Sequence, residues 1–171
     1  GGRVIVLGPD GTEAIQFGGQ GSLLGRGQPV GVLATQNVLW AISAEDGRLW
    51  NLTLDSSVTA IQPTGTVDGP HLTQVADGRL LVSDSVVDVV RRIDLTAPGR
   101  PITTIAGTPN AGSGRADGQG PAVTFRGVAG LAVAADGAVF VADSGNCAIR
   151  KLVAGQDGVF TDQAEPCRAV H

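Results

Sequence analysis

The sequence predicts an all-β fold assembled from short four-stranded antiparallel sheets, and three observations predict it. Glycine occurs 26 times in 171 residues, about twice ordinary usage, and without a Gly-X-Y period, so the glycines mark many tight turns rather than a collagen-like helix. The apolar runs are short; the longest are Val4 through Leu7, Val38 through Ile42 and Val139 through Ala142. A unit of sequence also recurs along the chain, the sign of a repeat architecture.

The repeat is clearest in two stretches. "LTQVADGRLLVSDSVVDVVRRI" (residues 72–93) aligns without a gap with "LAVAADGAVFVADSGNCAIRKL" (131–152), at an offset of 59 residues. Asp77-Gly78 then matches Asp136-Gly137, Asp84 matches Asp143, and Arg91-Arg92 matches Arg150-Lys151. A weaker copy, "VLATQNVLWAISAEDGRLWNL" (32–52), stands 41 residues earlier, with Ser43 in place of Asp84 and Trp50 in place of Arg91.

Taken in order, residues 1–20 supply half a unit, because "RVIVLGPDG" (3–11) matches "RKLVAGQDG" (150–158) in its basic start, apolar run and Gly-x-Asp-Gly turn. Residues 28–65 and 66–105 supply a full unit each. Residues 106–171 supply a third, with a long insertion around "AGTPNAGSGRADGQGPAVTFRGVAG" (106–130) and a tail. Within a unit, an apolar alternation such as Leu131 and Val133 leads to an Asp-Gly pair suited to a type I′ turn. A second run, a polar turn, a third run, another Asp-Gly and a short fourth run complete an antiparallel meander. The Asp-Gly pairs begin at 10, 46, 77, 136 and 157.

One such sheet cannot bury both of its faces. Sheets of this length stacked radially bury them against each other, which is the logic of a β-propeller blade. About three and a half blades are expected: a partial propeller, or a segment of a larger one. The start of the chain, without methionine or a secretory pattern, reads as a processed piece or an internal segment.

Residues 104–152, "TIAGTPNAGSGRADGQGPAVTFRGVAGLAVAADGAVFVADSGNCAIRKL", resemble the long form of the NHL repeat. The marks are the Ala-Gly start, the Ala-Asp-Gly loop, a Phe before Gly-Leu-Ala-Val, then Val-Ala-Asp-Ser-Gly-Asn and Ile-Arg-Lys. The usual His-Arg after Asn146 is Cys147-Ala148 here, and Gly127 stands where Pro or Asn is common. Residues 66–95 are similar to the family to a lesser degree, and the first 60 only in their propeller period. The resemblance implies a β-propeller, typically of six blades, more than 171 residues can supply at 41 to 59 residues each.

The carboxylates Asp84 and Asp143 recur once per blade, so they are expected to close the turn after the second strand and to pair with Arg91 and Arg150. Partner contact is expected from the long loop, with Asn110, Ser113, Arg115 and Asp117 as candidates and the terminal acid Asp162 beside them, because loops on a rigid scaffold carry binding residues. Asp117 with loop carbonyls also suits a calcium ion in type, although no metal or other cofactor is expected. His71 opens an innermost strand and faces either the central channel or solvent. Two histidines do not make a His-rich zinc site.

Cys147 and Cys167 flank two strands that should pair, which gives an expected disulfide, with two free thiols as the alternative. Asn51 begins an Asn-Leu-Thr glycosylation acceptor. With the disulfide and a single lysine, Lys151, this points to an extracellular or surface setting. Trp40 and Trp50 read as packing between blades.

A net charge of −4 with scattered arginines leaves no basic stripe for nucleic acid, and no apolar run approaches the roughly 18 residues of a spanning helix. No nucleophile elbow, P-loop, His-Glu-x-x-His or Cys-x-x-Cys occurs. The expected function is a non-enzymatic module that binds a protein or glycan partner, its remaining blades coming from the same polypeptide or another chain. Two alternatives stay open: a metal-dependent propeller hydrolase or lyase with its site in the central channel, and a purely architectural part of a filament or matrix.

Overall fold

A computed structural model describes residues 3–7, 10, 13–18, 29–34, 38–43, 49–53, 58–61, 71–74, 79–154 and 160–166. The described chain is all-β, apart from two single 3-10 turns at Gly120–Ala122 and Ser144–Asn146. β1 (Arg3–Leu7) and β2 (Glu13–Gly18) form a two-stranded antiparallel sheet. Three four-stranded antiparallel meanders follow: β3 (Pro29–Ala34) through β4 (Val38–Ser43), β5 (Leu49–Thr53) and β6 (Val58–Ile61); β7 (His71–Gln74) through β8 (Leu80–Asp84), β9 (Val89–Ile93) and β10 (Ile102–Ala106); and β11 (Val128–Val133) through β12 (Val139–Asp143), β13 (Ala148–Ala154) and β14 (Phe160–Pro166).

The sheets stack through their first strands, β3 against β7 and β7 against β11. Their faces meet in two apolar layers. Trp40, Ile42 and Leu49 pack with Leu80, Val82 and Ile93, while Leu81 and Val90 of the middle sheet pack with Val139, Val141 and Leu152 of the next, joined by Val123 and Phe125 from the long loop. This is the arrangement of a partial β-propeller.

Position in the stack decides the burial period of each strand. In β8 all five residues are buried, because a neighbouring sheet covers each face. In β12 buried residues alternate with half-buried ones, so Val139, Val141 and Asp143 point inward. An alternating pattern is what one covered face gives, and a continuous one what two give.

The Asp136-Gly137 turn differs from the type I′ hairpin expected from its sequence. Gly137 is left-handed at φ 84°, whereas Asp136 is absent from the positive-φ residues. Gly137 N donates to Ala134 O (2.9 Å) and Ala134 N to Ala138 O (2.8 Å), so the connection has three residues, with the glycine in the bulge position after an ordinary turn. Asp136 then accepts from Ala138 N (3.0 Å). The other Asp-Gly pairs fall wholly or in part outside the described residues.

Candidate functional site

The long loop between β10 and β11 is the part of the chain whose geometry most invites a function, and it is folded rather than trailing. Gly107 N donates to Gly120 O (3.0 Å), Gly114 N to Phe125 O (3.0 Å) and Thr124 N to Ala116 O (3.1 Å). Ala116 N donates to Thr124 Oγ1 (2.8 Å) and Thr108 Oγ1 to Pro121 O (2.9 Å). The arms 114–116 and 124–125 therefore run side by side. Gly107 has φ 90°, and a Cβ there would stand 2.9 Å from the Asp88 carbonyl oxygen, which is the reason for glycine at this point.

Arg150 ties this loop to the last sheet. It lies on the β13 face that points toward the middle sheet and is fully buried. Its Nη1 donates to Asp143 Oδ2 (3.0 Å) and Thr124 O (3.2 Å), and its Nη2 to Ala116 O and Asp117 Oδ1 (3.0 Å each). Its guanidinium carbon stands 5.3 Å from the Phe125 ring centroid, a cation–π distance. Asp143 Oδ1 accepts from Arg126 N (2.7 Å), and Asn146 Nδ2 donates both to Asp143 Oδ2 (2.8 Å) and to Gly114 O (2.6 Å). One buried ion pair thus holds both arms of the loop. Asp117 and the Ala116 carbonyl, the oxygens that would suit calcium, both receive the Arg150 guanidinium instead.

Asp88 makes the second tie, from the turn between β8 and β9. It adopts φ 54°. Its Oδ1 accepts from Gly127 N (2.7 Å), and its Oδ2 accepts from Ser113 Oγ (2.9 Å). The middle sheet thereby grips the loop of the next one. Nothing in the sequence reading singled out Asp88. Its available signal was a lone acid inside the apolar run "SVVDVV", aligned with the Cys147 position of the next unit.

The other candidates fall in three places. Asn110, Ser113, Arg115 and Asp117 share the loop; Asn110 and Arg115 are exposed, with Asn110 left-handed at φ 61°. Asp84 ends β8, accepting from Val86 N and Val87 N (3.3 Å each), with Arg91 Nε 2.9 Å from its Oδ2. Asp143 differs: it holds a loop amide and Asn146 rather than the amides of its own following turn.

His71 opens β7 in register with Ser83, on a different element from the loop. Asp162 pairs with Leu152 in β14. Asn51 sits mid-strand in β5, opposite Trp40 and Thr59. Cys147 is exposed and left-handed at φ 50°, and Cys167 lies outside the described residues, as does any pairing between the two. Among the described residues no group of three or more His, Cys, Asp or Glu could hold a metal ion, and no helix is long and apolar enough to cross a membrane.

The loop and blade that carry this network also carry the family match. The NHL repeat model matches residues 125–152, from Phe125 to Leu152. No curated protein matches the chain. Among solved structures it is similar to an auxiliary nutrient binding protein from Bacteroides thetaiotaomicron, with TM-score 0.62 and 15% identity over 77% of this chain and 35% of that one. The auxiliary nutrient binding protein from Bacteroides ovatus gives TM-score 0.61 and 12% identity over the same shares. A protein from Lactobacillus plantarum gives TM-score 0.63 and 13% identity over 96% of this chain and 50% of that one. At such identities the likeness is one of fold, and this chain spans between a third and a half of those structures.

Proposed function

From the premise that this chain is a partial β-propeller carrying an NHL repeat, we propose that it is a non-enzymatic binding module which displays the loop between β10 and β11 to a protein or glycan partner outside the cell. The observation that carries this reading is the spending of charge in the loop. Its acids and the buried Arg150 are consumed in holding its shape, while Asn110, Arg115 and Arg126 stay exposed on it. Arg115 and Arg126 project from the two arms that run side by side. A surface so fixed binds without the entropy cost of ordering a loop, and paired arginines recognise carboxylate or sulfate groups.

The solved structures of similar fold include nutrient-binding proteins, and a ligand-binding role here is in keeping with them. Isothermal calorimetry against an acidic and a neutral oligosaccharide series and a glutamate-rich peptide tests the proposal. The double variant Arg115→Glu/Arg126→Glu should melt as the wild type does yet bind the acidic probe about ten-fold more weakly or worse, since loss of one charged contact is worth about that factor. Equal binding by variant and wild type, or no binding to any probe, overturns it.

A further inference from the structure

The two layers between sheets follow one rule. In the first, Trp40 and Leu49 of the earlier sheet meet Leu80, Val82 and Ile93 of the later one. In the second, Leu81 and Val90 meet Val139, Val141 and Leu152. At the repeat spacings of 41 and 59 residues these are the same positions: Trp40, Leu81 and Phe140 are equivalent, and so are Leu49, Val90 and Ile149. Every junction thus joins a forward face of one sheet to a rear face of the next in sequence.

The last sheet has a forward face with no sheet on it. Leu81 and Val90 are 1% and 0% exposed, whereas Ile149, the equivalent of Val90, is 46% exposed, and Phe140 and Ala142 are half-buried. With Gly130 and Ala132 they line an apolar hollow of about 250 Å³. The Lys151 ammonium stands 5.9 Å from the Phe140 ring centroid, which puts the nearest charge at the rim.

We propose that this face is the seat of a further propeller blade of the same polypeptide, presenting three aliphatic side chains at the positions of Val139, Val141 and Leu152. Continuity carries the choice of occupant. Both observed junctions are made by the blade next in sequence, and the solved structures of this fold carry it in chains of which this one covers only 35% to 50%. An oligomer would need a rear face elsewhere on the chain, and a soluble ligand would need polar groups to orient it. The groups lining the hollow supply almost none.

The test uses the native polypeptide carrying Ile149→Cys with Cys147→Ser and Cys167→Ser, and follows maleimide labelling beside particle mass. In a monomeric particle the thiol should react about 100-fold more slowly than after denaturation, as for a group exposed only by local opening. Rapid labelling of the folded monomer overturns the proposal. Protection that appears only in an oligomer and is lost on dilution also overturns it, assigning the face to a second copy. Should the variant fail to fold, amide exchange of Ile149 and Phe140 in the wild-type polypeptide decides the same question, with free exchange as the overturning result.

Discussion

Arg150 has no exposed surface, yet its side chain takes two carboxylates and two backbone carbonyls. Replacing it by a shape-matched apolar residue leaves Asp143 buried without its counter-charge and frees both loop arms. Arg150→Met should therefore lose about 3–5 kcal/mol of stability in urea unfolding, the usual consequence of breaking one side of a buried pair. Asp117→Asn removes a contact whose carboxylate is 60% exposed, and should change stability by less than about 1 kcal/mol. Equal effects would show that the loop tie and not the buried pair carries the energy. Asp94 sets the acid limit of the turn after β9. The Thr96 hydroxyl, at 2.7 Å, and the Thr96 amide hold its carboxyl far below its ordinary value of 3.8, with Arg79 and the Ala97 amide adding to the effect. A lowered carboxyl stabilises the fold above its unfolded pKa and loses that contribution as pH falls through the folded one. Between pH 4 and the acid limit the wild type should thus lose more stability than Asp94→Asn, and parallel melting curves for the two would refute the assignment.

Among the elements, the strands and their order are legible from apolar runs punctuated by glycine, because the period of two and the Asp-Gly turns are local properties. The loop between β10 and β11 is not. Its composition reads as a solvent-facing excursion, and what folds it, Arg150 and Asp88, comes from strands 25 or more residues away in sequence. The same limit explains Asp143: its recurrence with Asp84 suggests a shared turn role, but only the insertion before β11 gives it the Arg126 amide to hold. The β13–β14 ladder bears on the cysteines. Its seven pairs run without a shift from Ala154 with Phe160 to Ala148 with Pro166, and Cys147 and Cys167 are the next residues in sequence beyond that last pair. We propose that they form a disulfide that pins the outermost strand. The intact native chain should gain two mass units on reduction and take up two alkylating groups only afterwards, whereas alkylation of both thiols without reductant would exclude the bridge.

At the scale of the whole molecule, the sheets contact only their neighbours, so stability is close to a sum of sheet and junction terms. The middle sheet, β7 through β10, has a junction on each side: Leu80, Val82 and Ile93 on one face, and Leu81 and Val90 on the other, all at most 1% exposed. The last sheet has one junction and the clamp of Arg150. Opening should therefore begin at the forward face of β11 through β14 and reach β8 and β9 last. Hydrogen exchange of this chain should show its slowest amides at Leu81, Val82 and Val90, with Phe140, Ile149 and Val153 exchanging earlier although their strands are equally well paired. The contrast separates two sources of protection. If ladder hydrogen bonds alone set exchange, β12 and β13 would match β8 and β9 residue for residue. If stacking sets it, the difference should shrink when a blade covers the forward face, so a longer native polypeptide would bring Ile149 to the protection of Val90.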